Sequence, residues 1–208
     1  MKKIILASDS PRRKELLERI GLKIIVEPAA IDESAFNSLE GRKMALELSR
    51  RKAEVVAANH RNAVVIAADT VVILGNQVMG KPSNQHEAKQ MLRALSGKPH
   101  VVVTAFTAVD TGTKKTLTDT AETTVYIKPL KREDIDAYVR TGEPLGKAGA
   151  YAIQGLGSVI VEKIEGDYFN VVGLPLSKLA DSLKLLGINV LENQFLPPAK
   201  SAACSPAR

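Results

Sequence analysis

The stretch AVVIAADTVVIL (residues 63–74) decides how the rest of the chain is read. It is apolar and β-branched on both sides of one carboxylate, so it reads as strand segments over 63–68 and 70–74 interrupted by Asp69. A carboxylate in such a run is costly unless it is paired, metal-bound or placed at a strand end facing a cleft. An aspartate in a tight turn between strands is the competing reading. Gly75-Asn76 then turns the chain.

Upstream, the spacing predicts a strand over 3–7, a turn through Pro11, a helix over 12–20 ended by Gly21, and a strand over 23–26. A polar loop with Asp32 and Glu33 leads into a helix over 39–59, where Ala45, Leu48, Lys52, Val55 and Val56 recur at helical spacing. Downstream, a helix over 85–95 takes its cap from Ser83 or Asn84. Two β-rich segments, 100–110 and 116–127, flank Thr111-Gly112-Thr113 and read as a hairpin. A helix over 131–141, a glycine-rich loop over 142–157, a strand over 158–164 and a helix over 175–186 follow. The reading is α/β, with parallel-capable βα units and one hairpin on a mixed sheet. Residues 1–195 form a single domain, and 196–208, without periodicity, read as a disordered tail.

The chain has 208 residues, enough for a sizeable core, and a net charge of +6, which favours anionic partners. Aromatics are only 4% of residues and tryptophan is absent, leaving few platforms for stacking single strands. Charge alone therefore does not separate a nucleotide enzyme from a nucleic-acid binder. No apolar run is long enough to span a bilayer, and the opening MKKIILAS is too short for a signal core. The one cysteine, Cys204, rules out a disulfide framework and a thiolate zinc site, and a reducing cytoplasm is the simplest compartment.

Between the first strand and helix lies Ser8-Asp9-Ser10-Pro11-Arg12-Arg13. Free N–H groups at a helix start, hydroxyls before it and guanidiniums inside it make a phosphate cradle. The alternative is a capping serine with two solvated arginines. The chain has neither a Walker A loop nor GxGxxG. Asp69, Asp32 and Glu33 offer hard oxygens suited to magnesium or manganese. Lys52 and Lys81 are candidate phosphate clamps or solvated charges. His60, His86 and His100 lack metal-ligand spacing and read as structural or exposed. KAGAYAIQGLG (residues 147–157) lets backbone approach a ligand closely, and the Gln154 amide can donate and accept at once. A plain flexible loop is the alternative.

In order along the chain, SDSPRRKELL (8–17), Asp32-Glu33, AADTVV (67–72), GKP (80–82), LSGKPH (95–100), KAGAYAIQGLG and GDYFNVVGLPLSK (166–178) resemble the Maf family of nucleotide pyrophosphatases, in its dTTP/UTP branch. The resemblance implies a fold similar to inosine-triphosphate pyrophosphatases: two lobes on a long twisted mixed sheet with flanking helices, the active site in the central cleft. It implies α–β cleavage of a nucleoside triphosphate with a divalent metal, magnesium or manganese. Asp69 falls on the catalytic acid, and Arg12, Thr70 and Gln154 on positions tied to substrate choice. Ser8, Arg13, Lys52 and Lys81 match phosphate-binding positions, and Asp69 with Glu33 would hold the metal. A cytoplasmic homodimer, with no nucleic-acid or membrane partner, fits the same resemblance. A nucleotide-sensing regulator of cell division and a 7-methyl-GTP pyrophosphatase are the rival readings. Asp9 departs from the pattern by adding negative charge to a loop expected to face polyphosphate.

Overall fold

A computed structural model describes residues 2–36 and 38–192; the tail read over 196–208 lies outside the described residues. In chain order the main elements are β1 (Lys3–Leu6), α1 (Pro11–Arg19), β2 (Ile24–Val26), α2 (Gly41–Ala57), β3 (Ala63–Leu74), β4 (Gln77–Met79) and α3 (Gln85–Leu95). Then come β5 (Pro99–Asp110), β6 (Lys115–Ile127), α4 (Arg132–Arg140), β7 (Val161–Glu165), α5 (Tyr168–Val172) and α6 (Leu176–Leu185). The strands form one seven-stranded mixed sheet in the order β2-β1-β3-β5-β6-β7, with β4 paired to β3. β1 runs parallel to β2 and β3, and the remaining pairs are antiparallel.

β3 organises the molecule. Its 12 residues form one continuous strand, spanning about 40 Å at the usual rise. Asp69 does not interrupt it; it pairs with Ala105 of β5, so the turn reading of Asp69 fails. Along one edge β3 pairs with β5 from Val64 to Ile73. Along the other, Ala63–Ile66 pair with β1 and Val72–Leu74 with β4. Residues 67–71 between them have no strand partner on that edge among the described residues. β1 ends at this gap, its last tie being Ala7 N–H to the Ile66 carbonyl at 2.8 Å.

Strand alternation then assigns the layers. Val64, Ile66 and Ala68 pack with Leu16, Leu17, Leu179 and Leu183 of α1 and α6 in one core. Further along the same face, Val72 packs with Leu92, Leu95, Ile135 and Val139 of α3 and α4 in a second core. The odd-numbered residues face α2, where Val65 and Ala67 meet Ala53 and Val56, and Val71 meets Ala45. Two cores share one strand, and the cleft opens where one ends and the other begins.

Several boundaries differ from the sequence reading. β4 and α5 are elements that it omits, being only 3 and 5 residues long. The strand read over 158–164 begins at Val161, because Gly155–Val159 is a 3-10 turn. Asn84, not Ser83, caps α3, its side chain accepting from Glu87 N–H at 3.0 Å. The hairpin, the mixed sheet and the long helix stand where the sequence places them.

Candidate active site

A cavity of about 470 Å³ opens at the uncovered stretch of β3. Of the residues singled out for the site it collects Ser8, Arg12, Arg13, Glu33, Lys52, Asp69, Thr70, Lys81 and Gln154. Asp32 is not among them. Its carboxylate accepts from Ser34 N–H at 3.0 Å and from the Ser34 hydroxyl at 2.7 Å, closing a local turn on the surface.

One wall is built from charged side chains on regular elements. Lys52 lies on the apolar stripe of α2, between Leu48 and Val56, and is itself buried. Its ammonium is 2.7 Å from Asp69 Oδ1 and 2.7 Å from Glu33 Oε1, bridging the two carboxylates. A charge buried this deeply requires such partners. Glu33 is pushed up by partial burial, but the Lys52 bond and the charges of Lys52, Lys81 and Arg13 outweigh this and hold it below the usual carboxylate range. Asp69 Oδ2 and Glu33 Oε2 take no hydrogen bond among the described residues.

Arg13 fastens the N-terminal loop to β3. Its Nε–H donates to the Gly173 carbonyl at 2.9 Å, one amino group to Ser8 Oγ at 3.1 Å, the other to Thr70 Oγ1 at 3.0 Å. Burial lowers the basicity of Arg13, opposed by the nearby charge of Asp69. The hydroxyl protons beyond it follow by elimination. Thr104 Oγ1–H donates to the Asn170 carbonyl at 2.8 Å, so in the 2.9 Å contact between Thr70 and Thr104 the donor is Thr70. Thr70 thus has its proton committed and can meet a ligand only as an acceptor. Ser10 is the N-cap of α1, as the plainer reading holds, while Ser8 accepts from Ser10 N–H at 3.2 Å and keeps its proton for a ligand.

Arg12 and Lys81 make no hydrogen bond or ion pair among the described residues. Lys147, which sequence reasoning passed over, also lines the cavity and spends one N–H on the Glu143 carbonyl at 2.6 Å. Its only sequence signal was its place at the head of the glycine-rich loop. Asp9 stands exposed at the rim. The cavity is thus lined by cations in excess of what its own acids neutralise, as a polyanion requires.

The other wall is the loop bearing Gln154. Tyr151 at its start is buried, its hydroxyl 2.8 Å from His100 Nε2. Burial depresses His100 to about 4, so it is neutral in the folded protein. The Gln154 amide lines the cavity but bonds to no described residue, so nothing there fixes which end is oxygen.

Among the described residues no group of three or more acidic, histidine or cysteine side chains could hold a metal ion. The two carboxylates joined by Lys52 suit magnesium or manganese if substrate phosphates complete the shell, as is common for these ions. No helix among the described residues is long and apolar enough to cross a membrane.

Comparison with known proteins adds to this geometry. A family model described as "Maf-like protein" matches residues 3–186. A dTTP/UTP pyrophosphatase of Thermoanaerobacter sp. (strain X514) is 50% identical over 183 residues, 88% of this chain and 95% of that one. The dTTP/UTP pyrophosphatase of Pelotomaculum thermopropionicum is 47% identical over 92% of this chain and its own full length. Among solved structures, a HAM1 protein from Coxiella burnetii is matched over 89% of this chain and all of that one at 15% identity, with a TM-score of 0.47.

Proposed function

The chain belongs to the Maf-like family, and from that premise we propose that it is a nucleoside triphosphate pyrophosphatase acting on dTTP and UTP. The observation that carries the reading is a carboxylate pair bridged by a buried lysine, in a cavity whose other cations make no ion pair among the described residues. Such a site is built to take a polyphosphate and to accept a proton beside it.

Arg12, Lys81 and Lys147 would hold the β- and γ-phosphates by charge, and Ser8 would donate its hydroxyl proton to a phosphate oxygen. Lys52 fixes Asp69 through Oδ1, which leaves Oδ2 to orient a water and take its proton. The water oxygen bonds to the α-phosphorus, the α–β bridging P–O bond breaks, and its electrons leave with pyrophosphate. Asp69 and Glu33 are the residues that would hold a divalent cation, magnesium or manganese, which when bound would neutralise phosphate charge. A cytoplasmic homodimer belongs to this reading and rests on the family resemblance alone.

Purified protein with magnesium or manganese is expected to release pyrophosphate from dTTP and UTP, and EDTA is expected to abolish the activity. Orthophosphate as the first product would overturn α–β cleavage, and undiminished turnover in EDTA would overturn the metal requirement.

A further inference from the structure

The 3-10 turn that follows Gln154 begins with its N–H groups aimed at a carboxylate outside the cavity. Glu143 Oε2 accepts from Leu156 N–H at 3.0 Å and Oε1 from Gly157 N–H at 2.8 Å. Oε1 also accepts from the Tyr138 hydroxyl at 2.9 Å, and that hydroxyl accepts from Ala152 N–H at 3.1 Å. The loop is therefore gripped on both sides of Gln154: two residues before it through Tyr138, and two and three residues after it through Glu143. The side chain of Gln154 takes no part in these bonds.

The packing admits no looser version. A Cβ on Gly157 would lie 2.1 Å from the Ala152 carbonyl oxygen and 2.6 Å from the Tyr138 hydroxyl. Gly155 has a φ of +68°, and its Cβ would lie 2.6 Å from Glu143 Oε2. Gly155 lets backbone close onto the carboxylate, and Gly157 onto the Ala152 carbonyl and the Tyr138 hydroxyl. Tyr138 is part of the second core, so the anchor stands on α4 and not on the loop itself. Burial pushes Glu143 up, but the bonds from Gly157, Leu156 and Tyr138 outweigh it and keep the group ionised, the state that can accept all three.

We propose that Glu143, acting with Tyr138, is the positioning residue for substrate choice: it holds the backbone on both sides of Gln154 at the height where the amide meets the base. This rests on the pyrimidine triphosphate reading of the cavity. Glu143 does not line the cavity, so its loss acts through the loop backbone that carries Gln154, whereas the carboxylate pair across the cleft is left as it was.

Two measurements on the full chain test this. Amide hydrogen exchange compares the wild type with Glu143→Gln, which keeps the size of the side chain but sets one NH₂ against backbone donors. Exchange at Leu156 and Gly157 is expected to rise at least tenfold, with β3 unchanged; protection retained at both would overturn the grip. A double-mutant cycle then combines Glu143→Gln with Gln154→Ala. Each single change is expected to lower kcat/KM for dTTP roughly tenfold, mainly through KM, and the double variant is expected to be no worse than either. Losses that multiply, or a fall confined to kcat, would show that Glu143 does not act through Gln154. A wild type that turns over neither dTTP nor UTP would overturn the function itself; a wild type that does, with multiplying losses, would overturn this inference alone.

Discussion

Asp69 and Gln154 face one cavity and are held in opposite ways. Asp69 sits in the middle of a twelve-residue strand, paired through its backbone to Ala105 and through its side chain to Lys52 at 2.7 Å. Gln154 hangs from a loop whose backbone is gripped at Ala152, Leu156 and Gly157 while its amide is tied to nothing described. The first arrangement fixes atoms, and the second fixes only where a flexible side chain starts. Chemistry needs a proton acceptor held to within a fraction of an ångström. Choice among bases tolerates an amide that adjusts. The fold places rigidity where the bond would break and leaves the adjustable group where the base would sit.

That contrast is broken most severely at Asp69. Asp69→Asn keeps the shape and removes the charge that answers Lys52 and that, in the proposed reaction, would take the proton. Loss of a general base alone costs roughly 10²–10⁴ in kcat. The fall is expected in kcat with KM little changed, for dTTP and UTP alike. A folded variant with near-normal kcat would reduce Asp69 to a partner for Lys52.

How legible each wall was in the sequence follows from the same contrast. A carboxylate inside AVVIAADTVVIL, and a lysine on the apolar stripe of α2, are exceptions to a strong pattern and stand out as such. The sequence did not show that they answer each other, since 17 residues and a change of element separate them. Asp32 and Glu33 were indistinguishable locally, and only the fold turns one to the cavity and the other to Ser34. Glu143 and Lys147 were passed over because a charge in a glycine-rich loop is the ordinary case, and their partners are mostly backbone groups, which leave no mark on composition. The uncovered edge of β3 was out of reach too, because it depends on where β1 stops and where β4, three residues long, begins.

The next test concerns the foot of the loop wall, where Tyr151 bonds His100. Burial takes His100 from its ordinary 6.5 to about 4 in the folded protein. Between those values the unfolded chain binds more protons than the folded one, so stability falls as pH drops through the interval and is fully present above 6.5. The whole loss amounts to about 3 kcal/mol. Urea denaturation at pH 7.5, 5.5 and 4 is expected to follow this slope, and His100→Gln, which cannot titrate, to remove this part of it. An acid slope unchanged in His100→Gln would place the sensitivity elsewhere.

The smallest effect is expected at Gln154, and it sharpens the comparison most. Uracil and thymine present an N3–H donor beside carbonyl acceptors, while cytosine presents an acceptor at N3 beside an amine. An amide clamped in one orientation would serve the first and reject the second, because a mismatched buried pair leaves polar groups unsatisfied. In this cavity no described residue clamps the amide, so half a turn about its last torsion lets it serve cytosine instead. Discrimination of dTTP and UTP against CTP through this residue is therefore expected to be only about tenfold, near the net worth of one hydrogen bond. Gln154→Glu offers two acceptors and no donor: it can still accept from the N3–H of uracil or from the amine of cytosine, but it repels the O4 carbonyl of the one and the N3 lone pair of the other. The variant is expected to lose kcat/KM for dTTP, UTP and CTP alike, so that their lead over GTP and 7-methyl-GTP narrows or inverts. The measurement is kcat/KM for dTTP, UTP, CTP, GTP and 7-methyl-GTP on both proteins. A wild-type preference against CTP of a thousandfold would mean that the amide is clamped once substrate binds, and the two walls would then be equally rigid. A ranking untouched by Gln154→Glu would move base choice to another group on the cavity wall, with Arg12 and Thr70 the next to change.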